Sequence, residues 1–382
     1  MNKMIRLMLS LFVLVPICAL PVHATATEQT FFAVGAGDNI SEGDVWDDDD
    51  DDITHYSLHV NGEFFSSDKL IIRCGSGTAQ FNPESNTLTL NNATLSKTPT
   101  KGNFYADSAI GSALSDLTVV FNGKTVYDAG NTDNYFFRST SSVTFTGNGI
   151  VEMVQDGADG KKPADVKIDV NGDIFADNVQ LERFVVPTAK KGNLHIQNAT
   201  LTQCELSVSG EAVLDDVTLD NCKLYAENQL TMNGCTILPS NGLLDGCTKL
   251  KSLTIAANQF GGDDDSGWQQ SLFGDKYLTQ LRIYVPVEEV YRFQQALPAY
   301  KSQIFADGPA LLGDVDGDGT ITVNDATVIQ RYAAEYALPI ADIIQQRGDV
   351  DGDGQITVVD ATLIQKYLAE YILSYPVGKP MA

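Results

Sequence analysis

The sequence predicts a mainly β chain: a right-handed parallel β-helix (β-solenoid) with a small α-helical domain at its C-terminal end. Three observations carry that reading: an apolar repeat of 18–20 residues through the middle, a near-duplicate acidic loop and helix close to the end, and a composition that folds. Of 382 residues, 43% are hydrophobic and only 20% charged, so a core can form although 50 acidic residues outnumber 25 basic ones. A formal net charge of −25 repels phosphate and argues against any nucleic-acid partner. The length allows two or three domains at roughly 100–200 residues each.

Residues 1–26 read as a signal peptide, with Lys3 and Arg6 as the basic start, an apolar stretch from Leu7 to Leu20, and a small-residue cleavage site at Ala24-Thr25-Ala26 or Val22-His23-Ala24. The apolar stretch is shorter than the roughly 20 residues a bilayer span needs. Nothing after it reaches that length, so the expected product is secreted, with no membrane span and a net charge of −27. Cys18 is preceded by the bulky Ile17, which disfavours a lipid-anchor cysteine, and no LPxTG-like sorting signal closes the chain. Residues 27–52 form an acidic linker ending in the Asp47–Asp52 run. That run and Asp263–Asp265 lack a turn glycine at fixed offset, so solvated linker or loop is favoured over a cation site.

The β-solenoid is expected over residues 53–257. Aligning Gly172, Gly192, Gly210 and Asn228 places Ile174, Leu194, Ala212 and Leu230 at offset two and Ala176, Ile196, Leu214 and Met232 at offset four. Leu181, Leu201, Leu219 and Ile237 share offset nine, and Asn198, Asp216 and Gly234 fall at the bends. A unit this short, with period-two strands, cannot close its own core and must stack on its neighbours. Leu88–Leu95 parallels Leu194–Leu201, and the 117–121 and 143–145 stretches continue the strand pattern upstream. Residues 258–305 are expected to cover the last coil: a strand over 281–286, then a helix opening on Glu288 and Glu289 and carrying Val290, Phe293 and Leu297. Residues 306–310 form a linker.

Residues 313–336 recur 35 positions later as 348–371, with 19 of 24 positions identical. Each copy spaces Asp at loop positions 1, 3 and 5, Gly at 6 and Asp at 12. This is the spacing of an EF-hand loop with Asp in place of the final Glu. Calcium wants 6–8 oxygens, so a loop curled around it presents alternate side chains inward. The first copy offers Asp314, Asp316, Asp318, the Thr320 carbonyl, Thr322 through water, and Asp325; the second offers Asp349, Asp351, Asp353, the Gln355 carbonyl, Thr357, and Asp360. Gly319 and Gly354 sit where the loop turns sharply. Eight crowded carboxylates repel one another without cations, so the region is expected to bind two calcium ions and to need them to fold. Each loop is followed by a helix, 326–335 and 361–370, while Ala306-Asp307-Gly308-Pro309 breaks the chain before the first loop.

A tandem of such half-hands resembles a type I-like dockerin of cellulosome-forming anaerobic bacteria over roughly residues 311–371, with the domain expected to run over 311–375. The predicted fold is then a β-helix followed by a small α-helical calcium-binding dockerin domain. The resemblance implies a cohesin module on a scaffoldin as partner, contacted through Val323, Asn324, Gln330 and Arg331 in the first copy and Val358, Val359, Gln365 and Lys366 in the second. Many dockerins carry Ser or Thr where this chain has Val-Asn and Val-Val, which leaves the cohesin class open, and a second reading makes these valines strand-forming core beside Ile321 and Ile356. Upstream, the 81–94 stretch resembles β-helical carbohydrate-binding-like modules of gut-bacterial surface proteins, and 281–286 resembles the closing segment of bacterial surface repeat proteins.

Five cysteines remain after the leader: Cys74, Cys204, Cys222, Cys235 and Cys247. The odd count leaves no complete disulfide framework. Cys204 and Cys222 share offset twelve, which suggests an inward ladder of small apolar groups rather than a redox or zinc site. His55, His59 and His195, with no CxxC, give zinc little support. Asp215-Asp216 is the formal candidate for paired catalytic carboxylates. It falls at a predicted turn, and the motif segments of pectinases and pectate lyases are absent, so a catalytic role is disfavoured and no catalytic residue is assigned. Three functions stay open for the solenoid. One is polysaccharide binding, with Tyr225, Phe184 or Trp268 as stacking platforms; the others are a polysaccharide hydrolase or lyase and a structural or adhesive component.

Overall fold

The computed structural model describes residues 53–96, 107–190, 192–238, 242–256, 259–260 and 265–381. The leader, the 27–52 linker with its aspartate run, and Asp263 and Asp264 lie outside the described residues.

From about residue 108 to 306 the dominant element is the short parallel strand stacked on its successor in the same register. Ile174, Leu194, Ala212 and Leu230 pair in sequence, as do Ala176, Ile196, Leu214 and Met232. Leu181, Leu201, Leu219 and Ile237 form a second column. Val166–Val170, Phe184–Lys190, Glu205–Val208 and Lys223–Ala226 follow one another in a third. Each repeat therefore contributes one strand to each of three sheets, and the apolar residue of every strand turns inward while its neighbours stay half-exposed. The columns meet in one continuous apolar core. No helix among the described residues is long and apolar enough to cross a membrane.

Two corners per repeat require a left-handed backbone. Asn178, Asn198, Asp216 and Gly234 occupy the first, with φ of 50–64°. Short polar side chains and glycine reach this region at little cost. The second corner holds Arg183, Gln203 and Asn221 at φ of 50–58°. Long side chains pay more there, and inter-coil hydrogen bonds hold them: the Arg183 amide donates to the Thr202 carbonyl at 2.9 Å and the Gln203 amide to that of Asp220 at 2.8 Å.

The two ends depart from the uniform coils expected from the repeat. At the start, His55–Val60 and Glu63–Ser66 pair antiparallel, as do Ile71–Cys74, Gly77–Asn82 and Thr87–Asn91, before Thr87–Asn91 meets Leu117–Asn122 in parallel. Hairpins need only a few connecting residues, so they close the first edge compactly. At the other end the segment expected to cover the last coil adds two further rungs. Arg282–Val285 adds in parallel to Ser252–Ala256, and Ile304–Ala306 adds to Arg282–Val285. The helix between them is Val290–Ala296, preceded by a 3-10 turn at Val287–Glu289, and it buries Val290, Phe293 and Ala296.

The C-terminal domain has its own apolar cluster, including Val315, Ile329, Ile344, Val350 and Ile364. Its repeat helices are Val323–Ala333 and Val358–Leu368, each beginning three residues earlier than the sequence suggests. The cause is a capping box: Thr322 and Asp325, like Thr357 and Asp360, exchange side-chain and backbone hydrogen bonds and start the helix at loop position 10. A third helix, Ala341–Arg347, leads into the second loop, so only the first copy lacks an incoming helix among the described residues. The chain end folds back beyond residue 375, where expectation stopped. Leu311 bridges Pro380, the Leu312 amide donates to the Lys379 carbonyl at 3.0 Å, and Val377 is buried in the domain core.

All five described cysteines are buried, and none of them is in a disulfide. Successive thiols reach back to the previous coil: Cys204 donates to the Leu181 carbonyl, Cys222 to that of Leu201 and Cys235 to that of Leu214, each at 3.3 Å. Burial pushes the Cys235 and Cys247 thiols up to about 11. These cysteines are expected to resist a thiol reagent at pH 8 until the protein is denatured, and then to react as free thiols; ready labelling of the native chain would contradict the packing. Leu214→Ala, at a fully buried column position, should cost about 2–5 kcal/mol in a denaturant titration.

Candidate metal centre

The acidic loops fold on themselves through backbone amides. In the first, Asp314 accepts from the Gly319 amide at 3.2 Å, Asp316 from that of Asp318 at 3.2 Å, and Asp318 from that of Thr320 at 2.9 Å. In the second, Asp349 accepts from the Gly352 and Gly354 amides at 2.8 and 2.9 Å, and Asp353 from that of Gln355 at 2.8 Å. Gly319 and Gly354 both stand at φ 84°, as a sharp turn at loop position 6 requires. Gly317 and Gly352 at position 4 are also left-handed, at 74° and 73°. Their recurrence in both copies was the sequence signal for this second turn.

Asp325 and Asp360 at position 12 tie helix to loop. Asp325 accepts from the amides of Val315 at 2.9 Å, Asp316 at 3.2 Å and Thr322 at 2.8 Å. Asp360 accepts from those of Val350 at 2.9 Å and Thr357 at 2.8 Å. Ligand oxygens of Asp314, Asp316 and Asp325 lie within 4.8 Å of one another, and so do those of Asp349, Asp351 and Asp353. Asp318 and Asp360 stand apart from these triads, while Thr320 and Gln355 are exposed at loop position 7.

The donor set suits a hard cation, since it offers only oxygens at the first centre, and the buried Asp314 Oδ1 has no hydrogen-bond partner. A bound calcium ion would supply the positive charge and the coordination that these oxygens need. Arg347, from the helix between the copies, lies 2.9 Å from Asp314 Oδ2 and offsets part of the repulsion. Burial, and then the charges of Asp316 and Asp318, lift Asp314 to about 6 against the pull of Arg347. Burial and then Asp316 lift Asp325 to about 7.

The remaining candidates scatter. Phe184 is fully buried, and Trp268 is buried against Phe293 with the Arg292 guanidinium 4.8 Å from its ring, so neither offers a stacking platform. Both sit at inward positions, where apolar area outweighs their aromatic character. Tyr225 is half-exposed and lines a groove of about 370 Å³ with Glu205, Ser207, Glu227, Thr248 and Lys249. Asp215 ends a strand and Asp216 forms a left-handed corner. Asp265 makes a two-pronged ion pair with Arg292 at 2.9 and 3.0 Å. Sequence reading missed Phe175, which is exposed and stacks on His195 at 5.1 Å; their shared register at offset three was the available signal.

The docking positions implied by resemblance all face solvent. Val323, Val358 and Val359 are 63%, 59% and 52% exposed on the first helical turns, so they are not strand-forming core. Asn324, Gln330 and Arg331, and Gln365 and Lys366, are exposed as well. Positions seven and eight apart share a helix face two turns on, which groups each set into one patch.

A folded-state value raised above the ordinary 3.8 means that the metal-free first loop holds more protons than the unfolded chain between about pH 4 and 7. Its contribution therefore opposes folding as pH rises through that window, and cation binding must displace those protons. Calorimetry at pH 6.5 in two buffers of different ionisation enthalpy should reveal proton release on calcium uptake, reduced in Asp325→Asn; buffer-independent heats would refute it.

No curated protein and no solved structure matches the chain. Residues 312–369 match the family model of the dockerin type I domain, and this C-terminal segment is a type I dockerin domain.

Proposed function

We propose that the chain is a secreted component of a cellulosome-like assembly, docked in a calcium-dependent way on a scaffoldin cohesin, with a polysaccharide-binding β-solenoid as its cargo. Type I dockerin domains bind calcium in general and imply a cohesin partner. The observation that carries the docking reading is the exposure of three valines and their polar neighbours on the first turns of two duplicated helices, beside the acid triads. Exposed valine this dense has a use when a partner covers it. Two ions are assigned, one to Asp314, Asp316, Asp318, Asp325 and the Thr320 carbonyl, the other to Asp349, Asp351, Asp353, Asp360 and the Gln355 carbonyl. The contact residues are Val323, Asn324, Gln330 and Arg331, and Val358, Val359, Gln365 and Lys366.

The three parallel columns, with corners at a repeat of 18–20 residues, support winding as a right-handed solenoid. The groove beside Tyr225 supports saccharide binding, because it sets an aromatic side chain among carboxylate, hydroxyl and ammonium groups.

Cohesin pull-down with calcium should retain the full chain and lose it on chelation. Val323→Asp combined with Val358→Asp should weaken retention by at least about tenfold, the effect of burying one uncompensated charge per face. Retention by none of the cohesins of its own organism would refute docking. In affinity electrophoresis against plant polysaccharides, Tyr225→Ala should abolish any retardation of the native chain. Release of reducing ends or unsaturated products would favour a catalyst instead, and the absence of any retardation would leave a structural component.

A further inference from the structure

Ile304–Ala306 is the last rung of the twelve-stranded ladder and one of its two edges. Strand alternation turns Ile304 into the core and Phe305 to the opposite face. Yet Phe305 is only 4% exposed. The Tyr284 ring lies beside it at 5.9 Å, and the first acidic loop of the dockerin lies against it. A Cβ added to Gly317 would lie 2.7 Å from Phe305 Cδ1, and one added to Gly319 would lie 2.6 Å from Val287 Cγ2 and 2.7 Å from Ala306 Cβ. The Ala306 amide donates to the Gly317 carbonyl at 2.7 Å, and the next amide, of Asp307, returns to the ladder at Val285. A second tie joins Arg282, on the preceding rung, to Asp342 in the dockerin's intervening helix.

The second loop makes no such seat. It has the same Asp-Val-Asp-Gly-Asp-Gly sequence and the same backbone at its two glycines, yet nothing lies within 4 Å of a Cβ placed on Gly352 or Gly354. The near-duplicate loops therefore occupy unlike surroundings, one wedged under the edge of the ladder and one open.

We propose that the first calcium loop is the joint that fastens the dockerin to the end of the strand ladder, and that calcium bound there sets the joint. This rests on the calcium reading above. Gly317 and Gly319 meet Phe305, Ala306 and Val287 only while residues 314–319 stay curled. The curl brings Asp314 and Asp316 within 4.8 Å of one another and of Asp325, and like charges at such distances drive it open when no cation offsets them. Releasing the curl frees the Gly317 carbonyl, exposes Phe305 and leaves the Ala306 amide to water. Calcium in the first loop thus orients the whole docking domain against its cargo, whereas calcium in the second loop orders the dockerin alone.

Hydrogen exchange of the full chain, read by mass spectrometry with calcium or with chelator, tests this. The segment over residues 304–307 should exchange at least about tenfold more slowly with calcium, as expected when a closed edge must open before exchange. Gly319→Ala should erase that difference. Gly354→Ala, with the same φ but open space around it, should keep it. Exchange at Ser252–Ala256 reports that the ladder itself is folded in each variant, and the comparison with and without chelator in the unaltered chain stands if a variant fails to fold. Calcium uptake is measured in parallel by calorimetry. No uptake would defeat the calcium reading itself, whereas normal uptake with unchanged exchange at 304–307, or equal responses from the two glycine variants, would overturn the joint.

Discussion

Parallel register governs the larger part of this molecule. When each strand pairs with its successor at zero offset, a residue rests on its counterpart one repeat earlier, and every inward column must be apolar along its whole length. A slip of one residue would turn Leu214 and Met232 out to water and bring Val213 and Thr231 in. The corners obey the same rule: once Asn198 has taken a left-handed backbone, Asp216 and Gly234 above it must do so too. Arg183 and Gln203, which pay more for that backbone, are held there by inter-coil backbone hydrogen bonds.

A ladder built this way has two edges, and the chain treats them differently. Antiparallel hairpins turn the first strands back on themselves. The last strand meets a loop from another domain, so the exposed edge that would otherwise recruit a second chain is covered. The dockerin is too small to be stable on a large core, and its order comes from several devices together: two capping boxes, a tail that bridges its own start, and acidic loops whose charge a cation must balance.

Seating one loop under the ladder makes two halves of nearly identical sequence unequal. Asp314 and Gly317 are buried where their counterparts Asp349 and Gly352 are half-exposed and exposed, while Asp325 and Asp360 are buried alike. Both helix faces remain exposed. Duplication preserved two exposed helix faces, and the setting changed the surroundings of one acidic loop.

Much of this was legible in the residues alone. Period-two alternation at an 18–20 residue spacing located the inward columns to the residue, because parallel pairing converts sequence offset directly into spatial neighbours. The spacing of Asp and Gly located both acidic loops, because a curled loop presents alternate side chains. What the residues did not show was whether an aromatic side chain faced in or out: Phe184 and Trp268 proved to be core and Phe175 surface, since both residue types satisfy either side of a strand or helix. Nor did they show that helix capping pulls Val323 and Val358 out of the loops, or that one loop of two closes over Phe305. Those outcomes depend on groups distant in sequence, whose meeting only the folded chain decides.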